Sequence, residues 1–168
     1  AQLKQLVAAK GVEIAKNVDI TVTGATNASD LATILKSTLG TVTATVTADT
    51  AAKLNAALKD AISSDDLALT VNGTTATAKD LISLDGKTIG TITLNVGAIT
   101  GNIAEITKVF VDDAGNFDGE ATTAATISGE ITAAQADAIA LVTNKVVTAT
   151  IKADTAKALN DALNDTAP

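Results

Sequence analysis

Part of this chain is written twice. Val42 to Leu58 reads VTATVTADTAAKLNAAL, and 105 positions later Val147 to Leu163 reads VTATIKADTAKALNDAL. The offset holds without a gap from Val22 and Ile127 onward. A shorter period lies inside the long one. Threonine-led rows begin at Thr21 (TVTG), Thr45 (TVTA), Thr70 (TVNG), Thr93 (TLNV), Thr126 (TISG) and Thr150 (TIKA), with spacings of 24, 25, 23, 33 and 24 residues. The longer step predicts an insertion near residues 111–122. Self-similarity at a fixed period marks repeat architectures, in which each unit buries its apolar face against its neighbours.

Alternation sets the strands. Ile20 and Val22, Ala44 and Val46, Leu69 and Val71 point one way; Thr21 and Thr23, Thr45 and Thr47, Thr70 and Asn72 point the other. Helical spacing fills the intervals, through Leu31–Ile34–Leu35, Leu54–Leu58, Leu81–Ile82–Leu84, Ile103–Ile106–Val109, Ala136–Ile139–Ala140 and Leu159–Leu163. Leu3, Leu6 and Val7 suggest one more helix at the start. Asp49 and Asp154 read as N-caps, since a carboxylate there can accept free first-turn amides. Asn72-Gly73, Asp85-Gly86 and Asp118-Gly119 read as turns, and Gly24, Gly73, Gly97 and Gly129 as strand-to-helix turns.

A strand–helix alternation with parallel strands calls for right-handed crossovers. A sheet covered on both faces would have continuously apolar strands, whereas these have one wet face, so all helices belong on one side. Strands sit about 4.8 Å apart while packed helices need about 8–10 Å, and the mismatch curves the stack with the threonine face inside. The expected fold is α/β: a right-handed open α/β solenoid, a parallel sheet with all helices on one side and horseshoe-like curvature. It forms one repeat domain over 1–168 with about six strand–helix units. The chain has no Met, and we expect it to be part of a longer protein with flanking repeats as its first partners.

Composition removes most chemistry. There is no His and no Cys, and all twelve basic residues are Lys. Imidazole bases, Ser-His-Asp relays, thiolate metal sites and bidentate guanidinium clamps are therefore absent. A carboxylate-only hydrolase needs two converging acids, and the acids here stand singly along the repeats, so we expect no enzyme. A net charge of −7 opposes nucleic-acid binding, which needs a cationic footprint. No apolar run approaches the length of a membrane span.

Two places remain for binding. The threonine face (Thr21, Thr23, Thr45, Thr47, Thr70, Thr93, Thr126 and Thr150) could meet a surface polysaccharide or other envelope component, although threonine is also an ordinary exposed strand residue. The insertion, Val111-Asp112-Asp113-Ala114-Gly115-Asn116-Phe117-Asp118-Gly119-Glu120, crowds oxygen ligands into a glycine-containing loop, the chemistry calcium uses. Its candidate metal ligands are Asp112, Asp113, Asn116 and Asp118. The EF-hand order fails at Ala114, so a solvated loop with an Asn-Phe-Asp-Gly turn is the simpler expectation. No motif requires a cofactor; calcium is the one ion the sequence suggests. Ser63-Ser64-Asp65-Asp66 reads as a helix-ending loop, and Lys53, Lys59 and Lys157 as solvating charges.

The phrases VTGATNASDLATIL, VTATVTADTAAKL and ISGEITAAQADAIALVTNKVVTATIKADTAKAL resemble repeat segments of very large secreted bacterial cell-surface proteins. These are of the cyanobacterial type and are exported by type I secretion. The resemblance covers the chain from about Val18 onward, in repeat style rather than in any catalytic motif. It implies an extracellular, cell-surface location and a role as spacer or scaffold in adhesion, a surface layer or motility. The glycine-rich calcium repeats of such proteins are missing here, so their calcium dependence does not carry over.

Overall fold

The structure is a computed structural model that describes residues 16–163. Its elements run β1 (Ile20–Thr26), α1 (Ala28–Leu35), β2 (Val42–Val46), α2 (Ala51–Ala57), β3 (Asp66–Thr77), α3 (Ala78–Asp85), β4 (Ile92–Asn102), α4 (Ile103–Thr107), β5 (Phe117–Asp118), β6 (Ala124–Ile131), α5 (Ala133–Ala140), β7 (Val147–Ile151) and α6 (Ala156–Leu163). A π-helical turn, Lys108–Asp112, prolongs α4, and a 3-10 turn, Glu120–Thr122, separates β5 from β6. The helix expected at Leu3, Leu6 and Val7 lies outside the described residues.

The fold is α/β, with seven parallel strands in one open sheet and, among the described residues, six α-helices. Strand order follows chain order, β1-β2-β3-β4-β6-β7, with β5 beside the start of β4. Each helix contacts the next, so the helices form one layer. The alternation explains why. Ile20, Val42, Ala44, Val46, Leu67, Leu69 and Val71 are buried, against Leu31, Ile34, Leu54, Leu81, Leu84 and Ile139 of the helices. Thr21, Thr23, Thr45 and Thr47, on the other face, are exposed.

The written repeat is also a structural one. α1 and α5 start at Ala28 and Ala133, β2 and β7 at Val42 and Val147, and α2 and α6 at Ala51 and Ala156, each pair 105 residues apart. The ladders repeat too. Ile20 faces Val42 and Thr26 faces Val46, as Ala125 faces Val147 and Ile131 faces Ile151. Both ladders slip in mid-strand, between Val22 and Thr26 and between Thr126 and Glu130. In each slip sits a glycine with positive φ, Gly24 at 79° and Gly129 at 85°, the backbone a bulge needs and a side chain resists. These glycines, with Gly73 and Gly97, thus lie inside strands; the expected strand-to-helix turns are corrected.

Helix starts are capped by residues other than those expected. Asn27, Thr77, Asn102, Thr132 and Thr155 accept the amide three residues on. Asn102 with Glu105, and Thr132 with Gln135, complete capping boxes. Asp49 and Asp154 instead each accept the amide of the next residue, at 2.8 and 2.7 Å. Asp49 also continues the sheet by a bridge to Val71, a backbone role that fixes it one position too early to cap.

The returns from helix to strand are closed by a buried threonine. Thr88 Oγ1 donates to the Leu67 carbonyl at 3.1 Å and accepts from the amides of Leu67 at 2.8 Å and Gly90 at 2.9 Å. Thr38 donates to Val18 and Thr143 to Thr123, each at 2.6 Å. Asp65, in the stretch expected to be only a helix-ending loop, is also buried, its carboxylate accepting from the amides of Val42 and Ile62 at 2.8 Å each.

Near-identical sequences differ in burial. Leu54 and Leu58 of the first copy are fully buried, while their counterparts are half-buried (Leu159) and 50% exposed (Leu163). Urea unfolding should therefore show Leu54→Ala costing about 2–5 kcal/mol, the range for a buried leucine. Leu159→Ala should cost under about 1 kcal/mol. Equal costs would contradict the described packing.

Candidate functional site

The insertion is the one segment that departs from the repeat, and its two phenylalanines shape it. Phe110, on the π-helical turn after α4, is fully buried, and Phe117 is 4% exposed. Phe117 pairs with Ile92 and Asp118 with Thr93, so β5 lies along the first residues of β4 while β6 pairs from Ala98 onward. The expected solvated loop is thus anchored at both ends by aromatic burial. The extra residues give β4 a two-part neighbour in place of one continuous strand.

The polar residues between those anchors do gather, but around a lysine. Lys108 Nζ stands 2.6 Å from Asp113 Oδ2, and the Asn116 side chain and the Asp85 carboxylate lie close enough to influence one another. Burial pushes the Asp85 carboxyl up from its ordinary value; the Asn116 side chain draws it down, the Asp113 charge adds to the rise and Lys108 opposes it. The Asp113 carboxylate, in turn, holds the Lys108 ammonium above its usual range. Of the expected ligands, Asp113 and Asn116 therefore belong to one network with Asp85 and Lys108. Asp112 is exposed on the π-helical turn, and Asp118 is exposed in β5. Among the described residues no group of three acidic ligands has the geometry to hold a metal ion. Asp85 and Lys108 were missed in the sequence because they lie outside the loop, on the preceding unit and on α4's continuation.

This geometry predicts how the loop responds to cations. The ammonium already neutralises Asp113, so millimolar calcium should leave the melting temperature of the native chain unchanged. Lys108→Met should lower it, and calcium should then restore part of the loss. A calcium-dependent rise in the native chain that Asp118→Ala abolishes would instead support a calcium site.

Glu120 is a second polar residue that sequence reading passed over. It opens the 3-10 turn and is 8% exposed, and its Oε1 has no hydrogen-bond partner. Burial pushes its carboxyl above the ordinary value of 4.5, helped by Asp118 and opposed by the amides of Glu120 and Gly119. The folded state thus holds this proton more tightly than the unfolded chain does. Its contribution to stability is fully present below the unfolded value and is lost as pH rises through the raised one. Glu120→Gln should accordingly melt higher than the native chain at pH 7, with the gap closing as pH falls through the raised value toward 4.5. A gap independent of pH would show that the charge is not the cause.

The threonine face is formed, but its rungs are not those the row spacing suggests. Thr70 does face Thr93. Thr21, however, faces Thr43, Thr45 faces Ala68, Thr126 faces Thr148 and Thr150 faces Glu130. Thr23 is exposed inside the bulge of β1, and Thr47 is exposed one residue beyond β2. Counting from one leading threonine to the next assumes a constant register, which the glycine bulges and the insertion break. The longest in-register row is Thr77–Thr100–Thr126–Thr148 across four strands. Two of its hydroxyls are already engaged: Thr77 caps α3 and Thr100 donates to Ala76 at 3.5 Å.

Compared with known proteins, the chain matches no family model, no curated protein and no solved structure. Among the described residues, no helix is long and apolar enough to cross a membrane.

Proposed function

We propose that this chain is a structural and interaction segment: part of a right-handed open α/β solenoid that serves as a spacer or scaffold in a very large secreted cell-surface protein. The observation that carries the reading is the recurrence of helix starts, strand starts and ladder slips at one offset of 105 residues. A chain selected to repeat its backbone register is built to extend, since each unit rests on its neighbours and no unit needs a unique pocket. Consecutive strand order and a single helix layer suit winding in one direction. The wider spacing of helices relative to strands then curves the stack, with the threonine face on the inner side.

The location and role come from the resemblance in repeat style to secreted surface proteins. Native cells can be split into surface-stripped and interior fractions and blotted with an antibody against this segment. The proposal predicts a very large species in the surface fraction. A species near 16.7 kDa confined to the interior would overturn it.

A further inference from the structure

We infer that the outer face of β7 and α6 is a docking surface for one more strand–helix unit with the chemistry of β3 and α3, adding in parallel to β7. This deepens the scaffold reading above by naming the partner of that face. The molecule itself shows what covers such a surface. β2, the counterpart of β7, pairs on one side with β1 and on the other with β3, through Thr43 with Asp66, Ala44 with Leu67 and Thr45 with Ala68. Among the described residues, β7 pairs only with β6.

The consequences for burial run through the whole unit. Val42, Ala44 and Val46 are 1–4% exposed, whereas Val147, Ala149 and Ile151 are only half-buried. Ala51, Leu54 and Leu58 are buried beside α3, whereas none of the described residues of α6 is buried. A groove of about 260 Å³ lies over β7, lined by Ala136, Asp137 and Ala140 of α5, Val147, Ala149 and Ile151 of β7 and Leu163 of α6. In the first copy the counterparts of Ala136 and Ala140 are Leu31 and Leu35, which fill their own core.

Polar matching identifies the occupant more closely than area does. Asn55 of α2 donates to the Asp80 backbone carbonyl of α3 at 2.8 Å, and Asn160 stands at the equivalent place on α6, exposed. The Val42 amide is taken by Asp65, two residues before the apolar run Leu67–Leu69–Val71. A fitting partner therefore carries an aspartate ahead of an alternating aliphatic strand. Its following helix must present a first-turn backbone carbonyl opposite Asn160, as α3 presents that of Asp80 to Asn55. A second copy of the chain adding by its β1 offers Asp19 ahead of Ile20, but no β1-type strand follows a β2-type strand anywhere in the sheet.

The test is to place a copy of residues 59–91 directly after Leu163 of the full chain. Amide hydrogen exchange and melting temperature are then compared with the native chain. A control carries aspartate for the copied Leu67 and Leu69. The added unit should slow exchange of the β7 amides by about tenfold or more, toward the level of β2. It should also make Leu159→Ala as costly as Leu54→Ala, and the control should do neither. Unchanged β7 exchange with the added unit would overturn the inference, as would protection by the aspartate control. Concentration-dependent dimerisation of the native chain that protects β7 would also overturn it, in favour of a second copy. None of these outcomes alters where the parent protein is found, so failure here and failure of the surface-scaffold reading are distinguishable.

Discussion

Parallel pairing between consecutive strands is the constraint on which the rest of this molecule depends. Two such strands cannot be joined by a hairpin; after each one the chain must cross the length of the sheet before it can pair again. Here every crossing but one is a short helix, and the exception adds a π-helical turn and β5 to its helix. Because strand order follows chain order, all crossings fall in one layer. That layer hides one face of the sheet and leaves the other to water, which is why valine, isoleucine and leucine alternate with threonine along the strands. The crossings must also end in register. The buried hydroxyls of Thr38, Thr88 and Thr143 satisfy backbone groups where the chain re-enters the sheet, and leaving such buried groups without partners would cost about 1–3 kcal/mol each.

The same constraint explains how the insertion is tolerated. Extra residues between β4 and β6 would expose the flank of β4, and β5 covers it instead. In a core otherwise made of alanine, valine, leucine and isoleucine, Phe110 and Phe117 are the only aromatic side chains, and both hold this departure from the repeat in place. Burial of a side chain of that size stabilises by about 1.5–3 kcal/mol. Lys108, just ahead of the loop, pairs with Asp113. A segment that looks in sequence like a ligand site is thus held by buried Phe110 and Phe117 and by the Lys108 ammonium on the turn that leads into it.

Much of the fold can be read in the letters because its period is written there. The alternation at Ile20, Val22, Ala44 and Val46 shows which face is wet, and the leucine spacings mark α1, α2, α3 and α6. What escaped reading depends on register, which letters do not encode. A glycine bulge such as Gly24 looks like a turn until its strand is seen to resume, and the threonine rows then fall out of step by two residues. Thr88 is indistinguishable in sequence from an exposed strand threonine, although it is buried and its hydroxyl makes three backbone hydrogen bonds. Asp49 has the right chemistry for a cap but is held in a bridge to Val71. At the candidate site, Asp113 and Asn116 could be named from the loop, while Asp85 and Lys108 could not, because only the stacking of α3 against α4's continuation brings them together.

The most direct test of this account is a set of backbone nuclear Overhauser contacts between strands in the isotopically labelled chain. The account predicts interstrand contacts joining Ile20 with Val42 and Thr26 with Val46, and the same pattern 105 residues on, joining Ala125 with Val147 and Ile131 with Ile151. Contacts from β4 should reach both Phe117 and Ala124. Contacts between strands that are not neighbours in the order β1-β2-β3-β4-β6-β7, with β5 beside β4, or a different register in the two copies, would contradict it.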